Sequence, residues 1–496
     1  MDELSTIGIW SMGGNSPEDD QAVAGKLEYA PEDGISLELY GAFTEKLQNN
    51  EYSSSVAKCD VIYGVTTSGD FVTLLDCTAV QFSEPSPGLP TIKYYCAVAF
   101  VGSYWLDTKR SEHWTFDNAN FSFNYFYDWM QLTSLFEDHE FERNERGEVR
   151  LSVTKATIKL PLPLEFSLVD VLFRASNIVH HEKTRQGVLS YSDRSVISLV
   201  SEVPKELSDW VSNYIGRLQD FFSLSLGQAV GITELSLRPI ETCVQDDPDQ
   251  RKRFGFGSFL RVYFQPVYYQ AISDKSLHPQ DKIFLRTDID DLQSTLNKWF
   301  QFQDEPYGSL VCQLLLNTWY RPETFLETKF LNLAQAAEVF HKAYYNKNPL
   351  SREEFNRRKA MIAERLRDEP EVLEWYNKTQ GTNYQYLLER LLYLYDLSKS
   401  TLQKLFPQAD TFCKQIRDTR NYYTHYEKAN KADAASGVDL YLLNQSILYM
   451  LMHLVLMRVG FSDEKISELI EANPTFEHVR TELNRRRQNS QNAAQY

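Results

Sequence analysis

The spacing of apolar residues changes once along this chain of 496 residues, and that change constrains the fold more than any other feature. Up to about residue 270, short runs of β-branched and aromatic residues alternate with clusters of glycine, proline and serine, as in antiparallel strands. From about Asp288 onward, apolar residues recur at the three- and four-residue spacing of amphipathic helices. We therefore predict an α+β protein with a mainly antiparallel, β-sandwich-like domain at 1–287 and an all-helical bundle at 288–496.

Individual elements follow from the same patterns. Strands are predicted at 61–66, 71–75, 94–100, 150–160, 196–200, 231–237 and 259–268, with a helix at 205–222. Further helices are predicted at 292–302, 310–320, 325–345, 352–367, 384–397, 409–426 and 440–459, with shorter ones near Lys465 and Phe476. The polar tail at 484–496 is expected to fray.

One segment is apolar enough to raise the question of a membrane. Residues 440–457 carry no formal charge, but they include Asn444 and His453 and are flanked by Asp439 and Arg458. Polar residues within the run and charges at both ends favour a buried core helix over a membrane span.

The net charge of −17 is unevenly distributed. Residues 1–300 hold 26 Lys and Arg against 43 Asp and Glu, whereas residues 301–496 hold 25 of each kind. An acidic field would repel polyphosphates only in the first part of the chain. The overall charge therefore does not exclude an RNA partner for the helical bundle.

The cysteine and glycine patterns point away from cofactors. The six cysteines lie far apart without a C-x-x-C pair, which predicts neither a zinc site nor a disulfide framework. No phosphate-binding glycine fingerprint and no zinc-protease histidine motif occurs. We expect no metal and no cofactor, and the absence of a signal-peptide pattern at the N-terminus favours a cytoplasmic protein.

The segment Arg420-Asn421-Tyr422-Tyr423-Thr424-His425 lies within the predicted helix 409–426. An arginine, an amide and an imidazole are groups that bind a phosphodiester and transfer its protons. Arginine followed by histidine four to six residues later also arises by chance about once or twice in such a chain. Arg174 and His180 form such a pair, which we expect in a solvated loop or at a strand end.

Helical geometry separates the residues of this segment. Arg417, Asn421 and His425 share one face, with Asp418 near its edge, whereas Arg420 points roughly 140° away from His425. Either the helix is distorted near His425, or a second protomer completes the site across a symmetric interface. A salt-bridged arginine and a satisfied surface histidine remain the alternative.

Two resemblances raise the weight of the catalytic interpretation. Arg420-Asn421-x-x-x-His425, near the end of an all-helical domain, resembles the arginine–histidine motif of HEPN ribonucleases. Gly8-Ile9-Trp10 and the blocks at 23–29, 37–43, 72–77 and 100–104 resemble the N-terminal domain of ApeA-like anti-phage defence proteins. In that family the N-terminal domain precedes a C-terminal HEPN domain.

The resemblance implies a metal-independent endoribonuclease that arrests the infected cell when an unknown phage product triggers it, with tRNA among the expected targets. His425 would transfer protons at the ribose 2′-hydroxyl or the leaving 5′-oxygen, and Arg420 would neutralise charge on the phosphoryl oxygens. Asn421 would orient the histidine or a phosphate oxygen. A homodimer would complete the site, and the N-terminal domain would hold the nuclease inactive.

Five neighbouring side chains are expected to support RNA binding. Lys414 and Arg417, with Asp418 beside them, are predicted to guide the RNA backbone. Tyr422 and Tyr426 offer rings on which bases stack, although packing between helices is the more common role for such residues.

Other interpretations stay open at this point. The bundle could be a non-catalytic scaffold or sensor, with Arg420 and His425 structural. The β-rich domain could be a ligand-binding module, in which the aromatic run at 114–129 lines either a pocket or the interior. The basic clusters at 251–253, 357–359 and 485–487 form either an RNA track or ordinary solvated faces.

Overall fold

The computed structural model describes residues 1, 3–12, 22–43, 45–46, 52–53, 58–83, 88, 90–106, 114–143, 147, 149–183, 189–240, 258–266, 282–379, 383–426 and 433–493. The chain divides into two compact units. The first, the β unit, comprises Met1–Ser223, Ala229–Leu277 and Leu285–Gln293, and the second, the helical unit, comprises Leu224–Gln228, His278–Phe284 and Ser294–Tyr496. Both units are discontinuous along the chain, whereas the predicted domains meet at one point between 287 and 288.

The β unit is built almost entirely from antiparallel strands. They are β1 Leu4–Met12, β2 Val23–Ala30, β3 Gly34–Leu39, β4 Glu45–Lys46, β5 Tyr52–Ser53, β6 Lys58–Thr66, β7 Phe71–Ser83, β8 Thr91–Cys96, β9 Val98–Gly102, β10 Thr115–Phe123, β11 Leu135–Arg143, β12 Val149–Ile158, β13 Leu164–Leu168, β14 Val171–Lys183, β15 Leu189–Glu206, β16 Ile232–Pro239 and β17 Leu260–Phe264. The prediction of a mainly antiparallel β-rich N-terminal domain is confirmed.

A continuous thirteen-stranded sheet runs through this unit, and part of it closes on itself. Its order is β13-β14-β15-β10-β16-β17-β9-β7-β6-β1-β2-β3-β8, and β8 pairs back to β7. The first part of β7 pairs with β9 and the last part with β8. The change of partner occurs at Asp76, whose backbone is left-handed, with φ of 49°. The strands from β7 to β8 therefore form a six-stranded barrel, which removes their free edges.

Trp10 of β1 occupies the barrel interior. Its side chain is fully buried, and Nε1 donates a hydrogen bond of 3.1 Å to the carbonyl oxygen of Gly25. The ring lies directly over Gly64 of β6, where an added Cβ would come within 2.2 Å of it. Glycine at position 64 is therefore needed so that the backbone can approach the indole closely.

Short helical segments complete the strand-rich region. They are α1 Phe126–Met130, α2 Leu207–Asp209, a π-helical turn at Trp210–Ile215, and α3 Gly216–Leu226. Rings of the aromatic run at 114–129 are buried here. Trp129, for example, packs edge-on against Phe222, with 4.8 Å between the ring centroids. Most of the aromatic run is thus interior.

The helical unit follows the predicted periodicity closely. Its helices are α4 Leu292–Asp304, α5 Gly308–Tyr320, α6 Leu326–Tyr344, α7 Arg352–Arg365, α8 Pro370–Thr379, α9 Leu387–Leu397, α10 Lys399–Leu402, α11 Ala409–His425, α12 Gly437–Arg458, α13 Asp463–Glu471 and α14 Pro474–Ala493. Ser351 and Ser462 cap α7 and α13, because each hydroxyl accepts a hydrogen bond from the backbone N–H three residues later.

Helix α12 forms the centre of this unit. It is long and apolar enough to span a membrane by composition alone, but 83% of its apolar stretch is buried inside the unit. It packs against α6, α9, α10, α13 and α14. The prediction of a core helix for this segment is confirmed.

Several local predictions were wrong, including the start of the helix predicted at 384–397, which begins at Leu387. The strand expected at 94–100 is divided at Ala97 into β8 and β9, which pair with different neighbours. The helix expected from residue 205 begins at Leu207, because β15 continues through Glu206. The tail expected to fray from residue 484 is helical to Ala493, because Val479 and Leu483 are buried and hold α14 to the unit.

Candidate active site

The two faces of α11 differ in a way that its sequence explains. Phe412, Ile416 and Thr419 recur at four- and three-residue spacing and are buried where α11 meets α6 and α9. Lys414 and His425, on another face, are exposed. The apolar stripe thus orients the helix and leaves its polar face open.

The segment before α12 fixes the C-terminal half of α11. The backbone N–H of the buried Ala435 donates to Thr419 Oγ1 at 3.0 Å, and its carbonyl oxygen accepts from the Tyr423 hydroxyl at 3.0 Å. The Tyr423 ring lies 6.2 Å from that of Phe330 on α6. Tyr423 therefore has a packing role.

The helix is regular up to its last residue, His425. The backbone N–H of Tyr426 still bonds to the carbonyl oxygen of Tyr422, and Tyr426 then turns into the left-handed region with φ of 53°. The distortion considered as one way to bring Arg420 and His425 together is absent. Arg420 and His425 of one chain consequently point about 140° apart.

Asn421 and His425 present free polar groups. Asn421 is half-buried and His425 is exposed. Within the described ranges, neither side chain makes a hydrogen bond or an ion pair. Both can therefore reach a partner outside this chain without losing an existing contact.

Arg420 points in another direction, toward α6. Its side chain is half-buried, and its Nε lies 3.4 Å from Oε1 of Glu338. The separation is long for an N–H···O hydrogen bond, so the contact is a loose ion pair rather than a bidentate one. Among the described residues the guanidinium has no other ion-pair or hydrogen-bond partner.

Arg420 lines a cavity of about 480 Å³ between α6, α9 and α11. The lining side chains are Leu331, Gln335, Glu338, Val339, Lys342, Arg390, Arg420 and Thr424. Three of them are cationic and one is anionic. The cavity is therefore electropositive although residues 301–496 as a whole are neutral.

Two of those cations, Lys342 and Arg390, were not recognised from the sequence. Lys342 follows Glu338 by four residues on α6, and Arg390 lies on α9. An i, i+4 pair of opposite charges is typical of any solvated helix face. Only the packing of α6, α9 and α11 shows that these residues face a common space.

The predicted support residues are only partly available for RNA. Arg417 is bound to its neighbour Asp418, with Nε 2.8 Å and Nη2 2.7 Å from Oδ1. Lys414 is exposed. Of Lys414, Arg417 and Asp418, only Lys414 has no ion-pair partner in the part of the chain that the structure describes.

Tyr422 and Tyr426 form one edge-to-face aromatic pair, with centroids 5.6 Å apart. Tyr422 is half-buried, whereas Tyr426 is 66% exposed. Tyr426 therefore offers a ring face for stacking, next to His425 at the end of α11.

The interior of the helical unit contains a row of polar side chains centred on a histidine. His453 on α12 is fully buried, with Nδ1 2.9 Å from Thr401 Oγ1 and Nε2 3.0 Å from Asp463 Oδ1. Burial lowers the pKa of His453, against the opposing effect of Asp463. A hydroxyl, an imidazole and a carboxylate in a row resemble a hydrolytic triad, but the buried imidazole is closed to a substrate, so this row ties α10, α12 and α13 together.

The comparison pair Arg174 and His180 lies on strand β14. Arg174 forms an ion pair with Glu165 on the neighbouring β13, and His180 is exposed at the far part of the strand. The expectation of a solvated loop or a strand end was therefore wrong in location, since both residues lie within β14, although both side chains are exposed as expected.

The basic clusters are largely occupied by carboxylates. Glu354 binds both Arg357 and Arg358, and Glu482 binds both Arg485 and Arg486. Surface ion pairs of this kind are ordinary features of solvated helices. The cluster at 251–253 lies outside the described residues.

A second cavity of about 480 Å³ lies in the β unit beside the aromatic run. Tyr127 and Tyr191 line it, and the Tyr127 hydroxyl donates to Asp193 Oδ2 at 3.2 Å. Most members of the run are core residues, but Tyr127 borders open space. The pocket interpretation therefore applies to the edge of the run and the interior interpretation to the rest.

Comparisons with known proteins match both units. A family model described as ApeA N-terminal domain 1 matches residues 5–299, and one described as Apea-like HEPN matches residues 331–465. The first match covers more than half of the chain, and the second contains Arg420, His425 and the residues lining the electropositive cavity. No curated protein and no solved structure matches the chain significantly.

Proposed function

Because this chain belongs to the ApeA family of anti-phage defence proteins, which join an ApeA N-terminal domain to an ApeA-like HEPN domain, we propose that it is an endoribonuclease of abortive infection. HEPN domains are generally nucleases. One observation carries the proposal: a single helix of the HEPN domain presents Arg420 to an electropositive cavity and His425, unengaged, to solvent.

The proposed reaction is attack of a ribose 2′-oxygen on the adjacent phosphorus, with departure of the 5′-oxygen of the next nucleotide. The O–P bond to the 2′-oxygen forms as the bond to the 5′-oxygen breaks. The products are a 2′,3′-cyclic phosphate and a 5′-hydroxyl end. His425 accepts the 2′-hydroxyl proton or donates one to the leaving oxygen, and water makes the complementary proton transfer.

Arg420 stabilises the negative charge that develops on the phosphoryl oxygens, where a guanidinium donates charge-assisted hydrogen bonds. Asn421 lies on the His425 face and orients that imidazole or a phosphate oxygen. These three side chains supply charge stabilisation and proton transfer without a metal ion.

Dimerisation is part of the proposal. On a regular helix, Arg420 and His425 of one chain diverge, so a site that needs both takes Arg420 from one protomer and His425 from its partner. The RNA substrate, with tRNA as a candidate, would be cut in the cytoplasm after an unknown phage product releases the nuclease from control by the N-terminal domain.

The loose ion pair between Arg420 and Glu338 favours one competing function, a non-catalytic scaffold in which Arg420 is structural. The two functions predict different results in phage-challenged cells expressing wild type, Arg420→Ala or His425→Ala at equal levels of folded protein. Matched controls are Arg480→Ala and His478→Ala on α14, remote in sequence from the motif.

We expect RNA fragmentation and protection from phage to disappear together in Arg420→Ala and His425→Ala and to persist in both controls. Protection that persists in both motif variants would show that the motif is structural and that the scaffold function is correct.

A further inference from the structure

The electropositive cavity of the helical unit contains more positive charge than a catalytic arginine accounts for. Lys342, Arg390 and Arg420 line it together, and Glu338 is the one carboxylate among its lining side chains. Like charges that line one space repel each other. An anionic ligand in the cavity would relieve this repulsion.

The partners of these cations are incomplete. Among the described residues, Lys342 and Arg390 make no ion pair and donate no hydrogen bond. Arg390 and Arg420 are half-buried and Lys342 is exposed at the cavity. The cavity thus brings together guanidinium and ammonium donors that the described acceptors leave largely unused, and the oxygens of an anionic ligand can accept from them.

The shape and remaining walls of the cavity restrict the ligand. Its volume of about 480 Å³ exceeds what one phosphate group fills and is in the range of small organic ligands. Leu331 and Val339 add apolar surface beside the cations. A guanidinium and an ammonium side by side suit phosphate oxygens, the first through paired donors and the second as a compact charge.

We propose that this cavity binds one nucleotide unit of the RNA, with Arg390 and Lys342 as substrate-binding residues that hold its phosphate beside Arg420. The inference rests on the proposed ribonuclease function and adds the two residues that position the substrate. The apolar walls contact the sugar or base of the same nucleotide.

Glu338 has the opposite effect in this site. Its Oε1 lies 3.4 Å from Nε of Arg420, so the carboxylate competes with a phosphate for that guanidinium. The carboxylate also repels an incoming phosphate. Binding of the nucleotide displaces Glu338 from Arg420. Replacing Glu338 by glutamine should therefore strengthen RNA binding, whereas neutralising either cation should weaken it.

The test is the affinity of the full-length protein for a short fluorescein-labelled RNA whose 2′-hydroxyls are methylated, so that it cannot be cut. Fluorescence anisotropy at several salt concentrations gives the dissociation constant and its salt dependence. The variants are Arg390→Gln, Lys342→Gln and Glu338→Gln, with Arg480→Gln as the matched control on α14. Inorganic phosphate and a nucleoside monophosphate serve as competitors.

We expect Arg390→Gln and Lys342→Gln each to weaken binding by about tenfold or more. Each should also reduce the slope of log affinity against log salt by about one, as for loss of one phosphate contact. Glu338→Gln should bind more tightly, and Arg480→Gln should match wild type. The thermal unfolding midpoint should not fall in Arg390→Gln or Lys342→Gln, because removing one of three neighbouring cations relieves repulsion.

Wild-type affinity in both Arg390→Gln and Lys342→Gln would overturn the inference, and the ribonuclease proposal would survive if His425→Ala still abolishes cleavage. Failure of the wild-type protein to cleave RNA would overturn the ribonuclease proposal whatever the binding results, and cleavage by His425→Ala would overturn the catalytic role of His425. Binding of the nucleoside monophosphate as tight as that of the RNA, lost in Arg390→Gln, would identify a free nucleotide as the ligand and overturn the assignment to RNA.

Discussion

Arg420 and His425 are five positions apart on one regular helix, and that spacing decides what each side chain reaches. Arg420 faces a space shared with Glu338, Lys342 and Arg390, whereas His425 ends the helix in solvent. The motif and its helix were predictable from the sequence, because arginine, asparagine and histidine at this spacing are visible in one segment. The companions of Arg420 were not, because they come from other helices.

His341, next to the cavity residue Lys342, gives a prediction about pH. Its side chain is fully buried, and neither ring nitrogen has a hydrogen-bond partner among the described residues. Burial, and secondarily the charge of Arg390, lower the pKa of His341 to about 4. An unfolded chain has a histidine pKa of about 6.5, so the unfolded state binds more protons between these values.

The contribution of neutral His341 to the free energy of unfolding is therefore fully present above about pH 6.5. As the pH falls toward about 4, up to roughly 3 kcal/mol of that free energy is lost. His341→Leu should abolish that part of the loss, since leucine does not titrate. Thermal unfolding of both proteins across this pH range measures the difference. His478→Leu, at an exposed position, is the control, and an equal acid sensitivity in wild type and His341→Leu would contradict the prediction.

At the level of elements, α11 is held by two different kinds of contact. Its apolar stripe packs against α6 and α9, and Ala435 bonds through both backbone groups to Thr419 and Tyr423. The stripe was predictable from the periodicity of the sequence. The two hydrogen bonds were not, because nothing in a threonine or a tyrosine specifies which backbone group it meets.

Thr419→Val tests the importance of this connection. Valine keeps the shape of threonine but leaves the buried N–H of Ala435 without an acceptor, which should cost about 1–3 kcal/mol. We expect a lower thermal unfolding midpoint and reduced ribonuclease activity, since α11 carries the motif. Thr411→Val, on the exposed part of the same helix, should change neither, and equal stability of the two variants would refute the role of the hydrogen bond.

At the level of the whole molecule, an acidic β-rich unit and a charge-balanced helical unit are joined in one chain. The sequence alone shows that the charge distribution is compatible with RNA binding by the second unit. The cavity shows where this neutral unit concentrates positive charge. The described basic clusters elsewhere in the unit are neutralised by carboxylates such as Glu354 and Glu482.

A site shared between two protomers predicts complementation between inactive variants. Arg420→Ala and His425→Ala are each inactive, but a mixed dimer has one site with an intact Arg420 from one chain and an intact His425 from the other. Random reassociation should restore about a quarter of wild-type activity, because half of the dimers are mixed and each has one of two sites. Mixing the purified variants and measuring RNA cleavage checks this.

No recovery of activity in mixtures with proven subunit exchange would contradict the shared site. The control is a mixture of Arg420→Ala with the double variant Arg420→Ala/His425→Ala, which cannot form an intact site and should remain inactive.

The sequence by itself determined the class of each half, the limits of α11 within one residue and the buried nature of α12, because hydrophobic periodicity records locally which face of a segment is buried. The tertiary structure decided that β8 returns to β7 to close a barrel, since strand pairing uses backbone hydrogen bonds that every residue can make. It also decided that Glu338, Lys342 and Arg390 join Arg420 around one cavity. Helix packing brings these distant positions together, and on their own helices their charges are indistinguishable from those of any solvated surface.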